Sequence, residues 1–260
     1  MRILVSNDDG IYSPGIAALA RVAATFGEVR VVAPDVEQSS AGHAITASKP
    51  LTYRTTPILG DIEAYRVDGT PADCVALGAY QWGEVDLVLS GINLGTNLGN
   101  SIWHSGTLAA AKQAQLLGIP GIAFSTPSEP EIPDFDALAP HVESVLRLLL
   151  SQPRLPLVNV NLPATPKGTQ WTRQSVERYD GEVVPGTDPR GREHFWFSVT
   201  RIEDSPEGTD RHALDHGFIS ITPLLLDLTD HAALRELSEA DESRPTRPAD
   251  PPRVAARTRA

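Results

Sequence analysis

The sequence predicts an α/β protein, a three-layer α/β/α sandwich with a C-terminal β-rich extension. Three observations lead there. The first half alternates short apolar runs with Ala- and Leu-rich segments, the pattern of a parallel sheet covered on both faces. Near residue 168 the pattern changes to short strand-like segments and turns. A length of 260 residues with 41 % hydrophobic content suits one large domain of this kind.

Taken in order, residues 2–6 form a short apolar strand and residues 15–25 (GIAALARVAAT) an Ala-rich helix. Residues 29–33 make a second buried strand, stopped by Pro34, and residues 62–67 alternate like a third. Thr70-Pro71-Ala72-Asp73 then opens a helix. Threonine caps it, proline suits the first helical position, and the aspartate favours the positive end. Residues 85–89 (VDLVL) are another buried strand. A Gly/Asn-rich loop from Gly91 to Gly106, with several residues at positive φ, leads into a helix over 107–117 that Gly118 closes. A strand over 119–124 follows, then a surface linker, 126–133 (TPSEPEIP), a helix over 137–150 and a strand over 157–161. Within the extension, about 168–239, short strands precede a helix at 209–216, a strand at 218–222 and a last helix at 230–237. Residues 1–239 thus form the folded unit, Rossmann-like in its first part. Residues 240–260 carry four prolines and five arginines with almost no large apolar side chain, the composition of a disordered tail.

Composition bounds the function. The formal net charge is −11, a field that opposes nonspecific binding of nucleic acid. A small anionic substrate then requires a bound cation that reverses the sign locally. No apolar run approaches the roughly 20 residues that span a bilayer, so no membrane association is expected. The first residues are too briefly apolar for a signal-peptide core, and the single cysteine, Cys74, leaves no intramolecular disulfide. The expected compartment is the cytoplasm.

In open α/β sheets ligands gather beyond the carboxyl ends of the strands. Three such ends carry hard oxygen donors here: Asp8 and Asp9 after the first strand, Asp35 with Gln38, Ser39 and Ser40 after the second, and Ser90 to Gly95 after the fourth. Adjacent carboxylates repel unless a cation sits between them or both face water, and an N-cap followed by a turn is the plainer alternative for Asp8-Asp9. A dinucleotide fold is disfavoured. Gly10 and Gly15 do not complete G-x-G-x-x-G, no phosphate-binding Gly-Lys loop occurs, and two carboxylates have the wrong sign for a pyrophosphate. Ser105-Gly106-Thr107, at the start of an Ala-rich helix, offers free N–H groups and small side chains to an anion. Metal ligands on one side and an anion cradle on the other describe a phosphoryl-transfer site. His43, four residues past Ser39, is a candidate proton donor to a leaving group, or a loop-packing residue. His212 and His216 share the spacing of a metal-binding helix but fit better as residues of a last helical turn. Cys74 reads as a small buried hydrophobe.

These segments also carry a resemblance. Ser6-Asn7-Asp8-Asp9-Gly10 with Pro14-Gly15, Ala33-Pro34-Asp35 with Gln38-Ser39, residues 69–75 (GTPADCV), Ser90-Gly91-Ile92-Asn93 and Ser105-Gly106-Thr107 resemble, in order, the survival protein SurE family. Residues 159–163 (NVNLP), Gly208-Thr209-Asp210 and residues 220–224 (SITPL) fit it too, so the likeness spans about residues 1–235. It implies a metal-dependent nucleotidase acting on nucleoside 5'- and 3'-monophosphates, built as a Rossmann-like domain whose β-rich extension serves a homodimer or homotetramer. It implies Asp8, Asp9, Ser39 and Asn93 as ligands of one divalent cation per subunit, Mg²⁺ or Mn²⁺ by the hardness of the donors. By the same resemblance Asn97 and Ser105 line the phosphate pocket, while the helix start adds Gly106 and Thr107 as candidate substrate contacts and the spacing from Ser39 adds His43. Within this likeness, Ser40 stands where many members carry glycine, and His104 where a tyrosine is common. Two rival readings, a non-catalytic nucleotide-binding protein and a phosphatase of other esters, differ from this one in turnover and in substrate range.

Overall fold

The computed structural model describes residues 1–128, 133–152, 155–200, 202 and 204–242. Its central strand is β1 (Arg2–Ser6), in which Ile3, Leu4 and Val5 are fully buried. Their alternation sends Ile3 and Val5 into one hydrophobic cluster and Leu4 into another, which is why both faces of the sheet need a covering layer. Next come α1 (Pro14–Ala23), β2 (Glu28–Pro34), β3 (Tyr53–Thr55) and β4 (Glu63–Val67). α2 (Pro71–Trp82) starts on a reciprocal cap. Asp73 N–H donates to Thr70 Oγ1 at 3.1 Å, and Thr70 N–H donates to Asp73 Oδ2 at 2.9 Å. β5 (Leu87–Leu94), a short 3₁₀ helix (Gly99–Trp103), α3 (Gly106–Leu116), β6 (Gly121–Thr126), α4 (Phe135–Leu150) and β7 (Leu157–Asn161) continue the alternation. The chain closes with β8 (Thr169–Trp171), β9 (Gly181–Thr187), β10 (Glu193–Val199), α5 (Asp210–Asp215), β11 (Ile219–Pro223) and α6 (His231–Glu242).

Nine strands form one sheet in the order β3-β4-β2-β1-β5-β6-β7-β11-β8. The six from β4 to β7 are parallel, whereas β3 runs antiparallel to β4 and β11 antiparallel to β7, with β8 parallel to β11. α1 and α4 pack together on one face, α2 and α3 on the other, which gives the expected three layers. From β1 the chain builds outward through β2 and β4, then returns to the other side of β1 as β5. Strand order therefore reverses between β1 and β5. The crevice beyond their carboxyl ends is the place where such sheets bind ligands.

Three expectations change. Only β9 and β10 form a separate two-stranded sheet. β8 and β11 extend the main sheet, because the buried Ile219 and Ile221 of β11 belong to the same core as Val158 and Val160 of β7. The polar stretch before residue 62 contains the edge strand β3, which has no buried residue to signal it. The Gly/Asn segment is not one loop, since β5 continues to Leu94 past a register irregularity between Ser90 and Asn93. Positive φ falls on Gly91, Gly95 and Gly99, and on none of the asparagines.

The described residues up to Leu224 form one compact unit and those from Leu225 to Glu242 a second. In the second, α6 is capped by Asp230, whose Oδ1 accepts from Ala232 and Ala233 N–H, and Leu234 and Leu237 are exposed. Residues 129–132 of the expected linker and 243–260 of the expected tail lie outside the described residues. Among the described residues, no helix is long and apolar enough to cross a membrane.

Candidate active site

Beyond Ser6 the chain turns sharply. Asn7 Nδ2 donates to Gly10 O at 3.0 Å and to Ser13 Oγ at 2.8 Å, and Gly10 takes a φ of 94°, which suits glycine. This turn holds Asp8 and Asp9 over the switch point. Gln38 N–H donates to Asp8 O at 2.8 Å and so lays the loop after β2 across the same spot. Asp8 is 5 % exposed. The Thr107 hydroxyl donates to Asp8 Oδ1 at 2.6 Å, and Leu94 N–H donates to Asp9 Oδ2 at 3.2 Å. Gly106 is what allows α3 to begin there, because a Cβ at that position would lie 2.7 Å from Asp8 Cβ.

The electrostatics follow from this burial. Desolvation holds the Asp8 carboxyl above the usual carboxylate range, against the Thr107 hydroxyl and N–H, which favour its charged form. Asp9 is pushed up to about 6, first by burial and then by the charge of Asp8. Glu37 adds a further negative charge felt by both. Ser39 is exposed, and its hydroxyl donates to Glu37 Oε1 at 2.5 Å.

A second layer fixes the loop between β5 and α3. Asn97 Nδ2 donates to Ser125 Oγ at 2.8 Å and to Thr107 Oγ1 at 3.3 Å, so both amide protons are engaged inside the protein. Its backbone is held from β7: Asn159 and Asn161 Nδ2 donate to Asn97 O, and Asn97 N–H donates to Asn161 Oδ1. Both β7 asparagines are fully buried. The resulting chain of hydrogen bonds runs from β7 through Asn97 and Thr107 to Asp8. Ser105 caps α3, with Oγ accepting from Leu108 N–H at 3.0 Å, and keeps its own proton to give.

A cavity of about 560 Å³ opens here, lined by Asp8, Ser39, Asn93, Asn97, His104 and Ser105 among others. The structure thus brings together five of the residues singled out in the sequence, with Asp9 bonded to the adjoining strand. Gly106 and Thr107 stand behind Asp8 and are not among the lining residues. Neither is His43, whose Nε2 lies 2.9 Å from Gln113 Oε1 on α3. His212 and His216 stack on each other with ring centroids 4.0 Å apart, and no group of three or more His, Cys, Asp or Glu placed to hold a metal occurs among the described residues. Sequence reasoning missed Glu37, two residues before Ser39, as well as Asn159 and Asn161. For the last two the signals were an asparagine alternating with buried valines and the place of residues 159–163 in the family resemblance.

The donor set suits a hard divalent cation. Asp8, with Asp9 next to it in the chain, borders a cavity whose lining residues include no lysine or arginine, so its negative charge meets no such cation at that wall. Asn93 Nδ2 donates to Gly95 O at 2.6 Å, which leaves its carbonyl oxygen as the free donor, and Ser39 offers a hydroxyl oxygen. Two carboxylates, an amide oxygen and a hydroxyl fit Mg²⁺ or Mn²⁺ and would leave coordination positions open.

A doubly wound sheet with an acidic, oxygen-rich crevice at its switch point defines an α/β protein built for a charged ligand. Within that class, the chain belongs to the survival protein SurE family, whose model matches residues 3–181. It is 50 % identical over 243 residues to 5'-nucleotidase SurE 1 of Thermus thermophilus, covering 92 % of this chain and 97 % of that protein. It is 46 % identical over 248 residues to 5'-nucleotidase SurE of Deinococcus radiodurans, covering 92 % of each. Among solved structures, the SurE protein from Aquifex aeolicus is similar at a TM-score of 0.79 and 38 % identity, over 93 % of this chain and 100 % of that one.

Proposed function

We propose that this chain is a divalent-metal-dependent 5'-nucleotidase, hydrolysing nucleoside 5'- and also 3'-monophosphates to nucleoside and phosphate. The observation that carries the reading is the buried Asp8 carboxyl, with the half-buried Asp9 beside it, placed against the capped start of α3 at a cavity whose lining residues include no lysine or arginine. Relatives that share half of its residues bear the name 5'-nucleotidase. One Mg²⁺ or Mn²⁺ per subunit would be held by Asp8, Asp9, Ser39 and Asn93, and would supply positive charge and polarisation of the phosphate. Asp9, pinned through Oδ2, keeps its second oxygen to orient the attacking water. Ser105 donates to a phosphate oxygen as charge develops on it. Asn97, with both amide protons spent, keeps Thr107 and hence Asp8 in place.

We further infer a homodimer or homotetramer, supported by the β9–β10 hairpin, whose Val184 and Trp196 form one exposed apolar pair. The cytoplasm is the inferred compartment, and a charge of −11 argues against nonspecific nucleic-acid binding. Phosphate release from nucleoside monophosphates should require added Mg²⁺ or Mn²⁺ and stop with chelator. Full activity in excess EDTA after dialysis, or tight binding without turnover, would contradict the proposal.

A further inference from the structure

The cavity at Asp8 has a second wall that phosphate chemistry does not use. It is built by Tyr179, Gly181, Phe197 and Val199 of the extension, together with His104. Three rings meet on it. The His104 centroid lies 6.2 Å from that of Tyr179 and 6.1 Å from that of Phe197, and the Tyr179 and Phe197 centroids are 6.4 Å apart. The rings are inclined to one another by 49° to 65°, so none covers the face of its neighbour. Tyr179 is 51 % exposed and Phe197 60 % exposed, which a core cluster would not be.

The wall is held from behind. Asn100 Nδ2 donates to Val176 O and Arg178 O, tying the 3₁₀ helix to the segment that carries Tyr179. Asp180 pairs with Arg211 at 2.8 Å, and both side chains are almost wholly buried. His104 Nε2 lies 3.0 Å from Tyr179 Oη, and its carbonyl accepts from Gly42 N–H. Gly181 leaves room for the rings, because a Cβ there would lie 2.5 Å from Phe197 Cζ and 2.7 Å from Tyr179 Cζ. Open aromatic surface fixed in this way, at the mouth of a polar cavity of about 560 Å³, suits a ligand with a planar apolar part and a charged part.

We propose that the His104–Tyr179–Phe197 wall is the platform on which the base of the substrate stacks while its phosphate lies at Asp8 and Ser105. This rests on the nucleotidase reading above and says what selects its substrate class. Besides π surface, the three side chains offer the Tyr179 hydroxyl and the two His104 ring nitrogens, and because the hydroxyl already pairs with Nε2, His104 Nδ1 is the one further polar atom. The wall therefore favours an aromatic base over none and reads little of the base edges, so purine and pyrimidine monophosphates are both accepted.

The test compares AMP with ribose 5-phosphate, which keeps the sugar and phosphate but lacks the base. Both are measured at saturating Mn²⁺ on wild type, Phe197→Ala, His104→Ala and Phe197→Trp. Wild type should favour AMP. The two alanine variants should lose about 5- to 150-fold in kcat/KM for AMP, mostly through KM, with ribose 5-phosphate unchanged. Phe197→Trp should restore AMP hydrolysis. An equal loss for both substrates, or no loss for AMP, would overturn the platform. So would a drop in assembly mass by light scattering as the main effect of Phe197→Ala, which would give the ring to a second copy of the chain. If wild type hydrolyses ribose 5-phosphate as well as AMP, the platform falls while phosphatase activity stands. If it hydrolyses neither, the nucleotidase reading falls and takes the platform with it.

Discussion

Asp9 illustrates how a single side chain can couple the site to stability. Its carboxyl holds a proton in the fold up to about pH 6, whereas in the unfolded chain it titrates near the ordinary 3.8. Between those values the folded state carries the extra proton. The contribution of Asp9 to the stability of the metal-free protein is therefore full below about pH 3.8 and is lost as pH rises through 6. Asp9→Asn should flatten this part of the profile, which thermal melts in chelator between pH 4 and 7 would reveal; an unchanged slope would place the titration elsewhere. Ser105 has one task in the structure and a second in the proposed reaction. On that proposal, Ser105→Ala removes a donor to the phosphate, for a loss of about 10²-fold in turnover. It also removes the α3 cap, for about 1 kcal/mol of stability. Metal affinity should stay nearly constant, and a calorimetric titration with Mn²⁺ showing a parallel loss would mean that Ser105 belongs to the cation's surroundings instead.

At the scale of elements, the site depends on how α3 meets the tip of β1. Gly106→Ala brings a methyl group to 2.7 Å from Asp8 Cβ, so the helix start or the carboxylate must move. We expect a cost of about 1–3 kcal/mol and a weaker response to metal, whereas an unaltered metal-induced melting shift would show that the contact relaxes freely. The same elements show what could be seen in the sequence. The tips of β1 and β5 were legible because buried apolar runs break there into Asn, Asp and Ser. The cap of α2 was legible because Thr70, Pro71 and Asp73 satisfy it locally. Asn159 and Asn161 act on a residue 62 and 64 positions away, a pairing that no local pattern encodes. The attachment of β11 to β7 rests on antiparallel register, and the ring wall joins a 3₁₀ helix to two later strand regions, so neither was foreseen. For His43 the spacing allows either a proton donor or loop packing, and its bond to Gln113 depends on where α3 passes.

Across the whole molecule, net charge and site charge have the same sign, and that sets the central requirement. A chain of −11 that concentrates Asp8, Asp9 and Glu37 at one crevice attracts no anion unaided. The proposed divalent cation would remove the repulsion of the native site and gain little from the unfolded chain. Saturating metal should therefore raise stability by about 2.7 kcal/mol at a hundredfold excess over Kd. The decisive measurement is scanning calorimetry of wild type and Asp9→Asn at neutral pH, each in chelator and in Mn²⁺. The acidic pair predicts a clear rise in the wild-type melting temperature with Mn²⁺, a much smaller rise in the variant, and a metal-free variant at least as stable as metal-free wild type. An identical metal-induced shift in both proteins would contradict the assignment of Asp9 to the cation.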